Sequence, residues 1–289
     1  MNQGGFKMTL KWVVLTPHPP LLVPEIGKEA LNQVIDTKKT LEKTFQELKN
    51  DDVDTLLIIT PHGPYLSDEI SIWDKDILEG SLARFGGREK LKFDCDRDLV
   101  KEIADKWEKH RMPYRTLGED ESVRLGDELD HGAFVPLYYF NQKFDKKVNL
   151  VAITPGGADY DLLWKSGELL GSVINDEKKD IGVIVSGDLS HRLTKSAPAG
   201  YHPEAHKFDQ KLKEILNQGE FSLLKEIPEK LLMQTGECGY RPLLIAGGLL
   251  ENLHPNSEVF SYEGPFGVGY MVALLYRALN KSKKEGDKV

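Results

Sequence analysis

The sequence predicts an α/β fold, a single domain with a mostly parallel central sheet flanked by helices. Short apolar runs recur at Trp12–Leu15, Leu56–Ile59, Leu150–Ile153 and Ile181–Val185. None alternates polar with apolar residues, as expected of strands covered on both faces. Between the first two runs, Leu31, Val34, Ile35, Leu41, Phe45 and Leu48 fall at helical spacing across residues 28–48, which reads as a crossover helix. The 289 residues, 40% of them hydrophobic, suffice for one large core. No linker-like stretch divides them.

Further helices are expected over 97–110, 159–175 and 204–226, and from about 242 to 252. Two intervening sections, 63–95 and 111–136, show glycines and aromatics without a clean period. They read as loop-rich insertions of the kind that shape a pocket. The domain is expected to occupy residues 8–280. Residues 1–7 read as an extension ahead of Met8, and the charged residues 281–289 as a tail that frays in solvent.

The formal net charge of -8 argues against a surface that tracks phosphates, because nucleic-acid affinity rests on clustered lysine and arginine. A small molecule is the expected partner. Cys95 and Cys238 stand far apart and in no CxxC pattern, so neither a disulfide framework nor a cysteine-only zinc site is indicated and a reducing cytoplasm is expected. The apolar stretch at residues 12–15 is strand-sized, which predicts neither a signal peptide nor a membrane span.

Two strand exits have nearly the same wording: Leu15-Thr16-Pro17-His18-Pro19-Pro20 and Ile59-Thr60-Pro61-His62-Gly63-Pro64. A third, Ile153-Thr154-Pro155-Gly156-Gly157, lacks the histidine. Ligands of open α/β sheets collect beyond the carboxyl ends of strands, and the flanking prolines stiffen each exit. Taken singly, either histidine is more often structural than functional. The duplication changes that reading, because two such histidines and one carboxylate make the facial triad suited to Fe(II).

The third donor is expected in Thr235-Gly236-Glu237-Cys238-Gly239-Tyr240-Arg241-Pro242. Glu237 offers a carboxylate, or else interacts only with a helix start. Cys238 offers a thiolate, which favours softer ions. A fourth strand exit, Ser186-Gly187-Asp188-Leu189-Ser190-His191, brings another imidazole to the rim. Asp188 and Ser190 there read as caps of a following helix, with His191 merely packed, or His191 is a general acid/base that binds no metal. His131 lies in Leu129-Asp130-His131-Gly132-Ala133-Phe134-Val135-Pro136, beside apolar residues.

Together and in this order, these segments resemble the LigB family of class III extradiol ring-cleaving dioxygenases. The likeness is greatest to the branch of the AmmeMemoRadiSam system. It is carried by HPPLLVPEIG (18–27), TPHGP (60–64), RFGGRE (84–89), LDHGAFVPL (129–137), SGDLSH (186–191), ECGYRPL (237–243) and YEGPFGVGY (262–270). The resemblance implies an α/β core and an iron site held by His18, His62 and Glu237, with His191 as the catalytic acid/base and His131 as a second active-site histidine. Related Memo proteins carry a CGxxP segment, and Cys238-Gly239-Tyr240-Arg241-Pro242 matches that spacing.

On this resemblance the expected reaction is cleavage of a catechol-type aromatic diol by dioxygen at non-haem Fe(II). His191 would take a proton from the diol and later return one, and His131 would hydrogen-bond the bound oxygen or substrate. The alternative is a Memo-like protein that holds a metal or peptide without ring cleavage, an outcome that Cys238 as a ligand would favour. Zinc is a further alternative cofactor, since His₂Glu also serves zinc hydrolases. A homodimer is expected. Relatives often continue into an AMMECR1 domain, which this chain is too short to contain, so it is expected to work alone or with a separate AMMECR1 or radical SAM partner.

Overall fold

Every apolar run without alternation becomes a strand buried on both faces. In this computed structural model residues 9–120 and 128–279 are described. The expected extension (1–7) and tail (281–289) lie outside the described residues. The strands are β1 (Leu10–Thr16), β2 (Thr55–Ile59), β3 (Ile70–Trp73), β4 (Ile77–Ser81), β5 (Lys90–Asp94), β6 (Tyr114–Leu117), β7 (Asn149–Thr154), β8 (Ile181–Ser186), β9 (Glu258–Glu263) and β10 (Tyr270–Arg277). The longer helices are α1 (Ile35–Leu48), α2 (Arg97–Lys109), α3 (His131–Asn141), α4 (Tyr160–Asp176), α5 (Ala205–Gln218) and α6 (Tyr240–Leu250).

Eight strands form one sheet in the order β6-β3-β7-β2-β8-β1-β10-β9, while β4 and β5 make a separate hairpin. The central block β7-β2-β8-β1 is parallel throughout. Antiparallel pairing enters between β3 and β7, β1 and β10, and β10 and β9.

Alternate residues of the central strands enter different cores, which is why the middles of these strands are apolar without interruption. Val13, Leu15, Leu57, Ile59, Val183 and Val185 pack with residues of α2, α4, α5 and α6. Trp12, Val14, Leu56, Ile58 and Ile184 pack on the other face with residues of α1 and α3. On the first face α4 and α6 approach so closely that a Cβ at Gly248 would lie 2.0 Å from the Trp164 carbonyl oxygen. This tight pair fixes α6, and with it the residues just before its first turn. Among the described residues, no helix is long and apolar enough to cross a membrane.

The four expected strands and the helices over 97–110 and 159–175 appear within about two residues of their predicted bounds. The sections read as loops differ more. The 63–95 insertion contains β3, β4 and β5, and β6 and the start of α3 fall inside 111–136. Helix α3 escapes a periodicity test because Gly132 through Phe140 are all buried and Pro136 lies within it. A helix apolar on every side shows no amphipathic signal. The crossover begins as a 3-10 segment, Lys28–Val34, before α1.

Candidate metal centre

Because β1, β2 and β8 run parallel side by side, their carboxyl ends open on one edge of the sheet. His18 follows β1 and His62 follows β2, and both are carried to that edge. Their Nε2 atoms lie 3.1 Å apart. Cys238 Sγ lies 3.5 Å from His18 Nε2. Among the described residues, His18, His62 and Cys238 form a group whose donor atoms all fall within 4.8 Å of one another. Donors around a tetrahedral zinc-sized ion, at metal distances of about 2.0–2.3 Å, would sit about 3.3 Å (N to N) and about 3.6 Å (N to S) apart. The donor set therefore fits a transition metal.

The turn bearing Cys238 is held by the exit of β8. Backbone N–H groups of Cys238 and Gly239 both donate to the Asp188 carbonyl oxygen, at 3.2 and 3.0 Å. The Asp188 N–H points at Cys238 Sγ, 3.4 Å away. A Cβ at Gly187 would lie 2.3 Å from Gly239 Cα, so the two segments touch through glycine on both sides. Asp188 also receives the His18 backbone N–H on Oδ1 at 2.9 Å. No helix follows β8 directly, so Asp188 and Ser190 are not the helix caps read from the sequence. Ser190 instead joins a buried network, its N–H donating to Asp209 and its hydroxyl to the Thr235 carbonyl.

Glu237 and Cys238 are neighbours with different partners, and the sulfur is the one that meets the histidines. The Glu237 carboxylate accepts the Tyr240 N–H at 2.6 Å, at the start of α6. The geometry thus gathers Cys238, and not the expected Glu237, with His18 and His62. Burial pushes the Glu237 carboxyl up to about 7, against the pull of the Tyr240 N–H and the Arg241 guanidinium.

His131 opens α3, and its ring stacks on His62 with centroids 4.5 Å apart and planes 17° from parallel. The two rings lie close together, but the donor group does not include His131. Phe85 also packs against His131, its ring centroid 5.4 Å away. Asp130 caps α3: its Oδ1 accepts from the N–H groups of Gly132 and Ala133 and from the Thr60 hydroxyl. One carboxylate therefore joins the β2 exit to the start of α3. Asp130→Ala is expected to cost about 0.5–2 kcal/mol through the lost cap, measurable by urea unfolding. An unchanged unfolding midpoint would contradict that role.

His191 donates from Nδ1 to the Gly236 carbonyl oxygen at 2.5 Å. Its charge would disfavour protonation of both His18 and His62. Burial lowers all four histidines, His62 to about 4. They are therefore neutral imidazoles at pH 7, as metal binding requires. The Cys238 thiol is raised well above its usual range, first by burial and then by Asp188. A cation would reverse that cost, since a coordinated thiol loses its proton.

The sequence pointed to His18, His62, His131, His191 and the Glu237-Cys238 segment. The joining roles of Asp130 and Asp188 emerge only from the structure. Asp130 immediately before a histidine and a glycine was the available signal for a helix cap.

Residues 13–273 match the family described as the catalytic LigB subunit of aromatic ring-opening dioxygenase. Protein CA_C1420 of Clostridium acetobutylicum is 32% identical over 280 residues, covering 96% of this chain and 60% of that protein. The chain thus spans about three fifths of that relative's length. The crystal structure of uncharacterized protein JW3007 from Escherichia coli aligns with a TM-score of 0.61 at 14% identity, over 91% of this chain and 98% of the other, a likeness of fold.

Proposed function

The chain belongs to the LigB family, and on that premise we propose that it binds a transition metal ion through His18 Nε2, His62 Nε2 and Cys238 Sγ. The observation that carries this reading is the approach of the Cys238 sulfur to both imidazoles, in the position where a carboxylate was expected. Thiolate with two imidazoles favours copper or zinc, whereas a hard carboxylate would favour Fe(II). This donor set supports the Memo-like reading, a metal-binding member of the family without ring cleavage.

A bound ion would supply Lewis-acid or redox chemistry at the sheet edge. The chain's own residues would hold it with neutral imidazoles and a thiolate. Asp188 would position the Cys238 turn and the His18 backbone, and His131 would cover one face of His62.

A second reading, extradiol cleavage of a catechol-type diol, is favoured by family membership and by His191. With Nδ1–H engaged by Gly236, the Nε2 lone pair of His191 is free to take a proton from a substrate hydroxyl. Elemental analysis of protein purified without oxygen tests the two. About one equivalent of copper or zinc, with Fe(II) lost on dialysis, is the expected result. Tight retention of iron together with oxygen uptake on catechols would favour ring cleavage, and absence of any metal would overturn the metal-binding reading.

A further inference from the structure

We propose that Ser186 is a positioning residue that fixes the tautomer of His18, so that Nε2 is presented to the metal as a bare lone pair. This deepens the metal-binding reading above and rests on it for its consequence. Ser186 ends β8, and neither it nor His18 is appreciably exposed. Its Oγ lies 2.8 Å from His18 Nδ1.

The same hydroxyl donates to the carbonyl oxygen of Gly132. That carbonyl is available for a reason visible in the sequence. Gly132 lies in α3, and its partner four residues on is Pro136, which has no N–H to offer. A hydroxyl has one proton to donate. With it committed to Gly132, Ser186 can only accept at His18, so Nδ1 carries the proton. The alternative orientation would leave the buried Gly132 carbonyl without either donor. Nε2, the nitrogen 3.1 Å from His62 Nε2 and 3.5 Å from Cys238 Sγ, is then the acceptor. Through this contact Pro136 and Ser186 act on the metal centre without touching it.

The test uses the full chain, ¹⁵N-labelled at histidine, with Zn²⁺ as the probe. In the metal-free protein, long-range ¹H–¹⁵N spectra should show His18 in the Nδ1–H form, the signal being assigned by its loss in His18→Gln. Ser186→Ala should yield a mixture of tautomers and bind Zn²⁺ about 10–100-fold more weakly. Ser186→Thr keeps the hydroxyl and should retain both properties within a few-fold. An Nε2–H tautomer in the unaltered protein would overturn the proposal, as would equal weakening by Thr and Ala, or a Ser186→Ala protein with unchanged tautomer and affinity. Failure of the unaltered protein to bind Zn²⁺ would count against the metal reading, while the metal-free spectra would still decide the tautomer.

Discussion

Cys238→Ala is expected to weaken metal binding by roughly 10²–10³-fold, because structural zinc binding of about 10–16 kcal/mol shared over four ligands gives roughly 2.5–4 kcal/mol per donor. Glu237→Gln should change affinity only a few-fold, since the Glu237 carboxylate is engaged by the Tyr240 N–H rather than by the histidines. The pH dependence separates the two donors independently. The Cys238 thiol is pushed well above its usual range, chiefly by burial, so a metal must displace its proton at neutral pH. Affinity should then rise about tenfold per pH unit between pH 7 and 9, one proton leaving per ion. If Glu237 were the donor, its carboxyl, titrating at about 7, would already be ionised and affinity would level off above that pH. His62, lowered to about 4, should add no slope above pH 5. Titrations with Zn²⁺ across this range, on the unaltered protein and both variants, check these expectations.

His191→Ala is expected to leave metal affinity within a few-fold, because the donor group does not include His191. Under the ring-cleavage reading, the same variant should lose about 10²–10⁴-fold in turnover of any diol the protein accepts, the usual contribution of a positioned acid/base. The geometry behind this is the Nδ1–H bond to Gly236, which holds the ring with Nε2 available. Burial lowers the His191 pKa, with a smaller opposing effect of that bond, so the neutral, proton-accepting form prevails at pH 7. Loss of metal from His191→Ala would make it a ligand. Full turnover would leave it a structural residue.

Much of this arrangement was legible in the sequence, for physical reasons that can be named. Strands buried on both faces must be apolar through their middles, as β1, β2, β7 and β8 are. The repeated Thr-Pro-His wording marked two exits from parallel strands, so His18 and His62 could be expected on one edge. The choice between Glu237 and Cys238 was only half legible: the CGxxP spacing pointed to Cys238, but which side chain meets the histidines depends on how a turn is rotated. That rotation is set by the Asp188 carbonyl, which holds the N–H groups of residues 238 and 239 from a segment about fifty residues earlier. Helix α3 was hidden because its burial on all sides removes periodicity and Pro136 suggests a break. The role of Ser186 was hidden with it, since its hydroxyl matters only once the Gly132 carbonyl is placed beside β8.

X-ray absorption of the zinc- or copper-loaded protein tests most directly whether Cys238 joins the two histidines at the metal. One sulfur scatterer at about 2.3 Å is expected, together with the outer-shell pattern of two imidazoles, from Cys238, His18 and His62. A shell of nitrogen and oxygen alone, unchanged in Cys238→Ala, would contradict it.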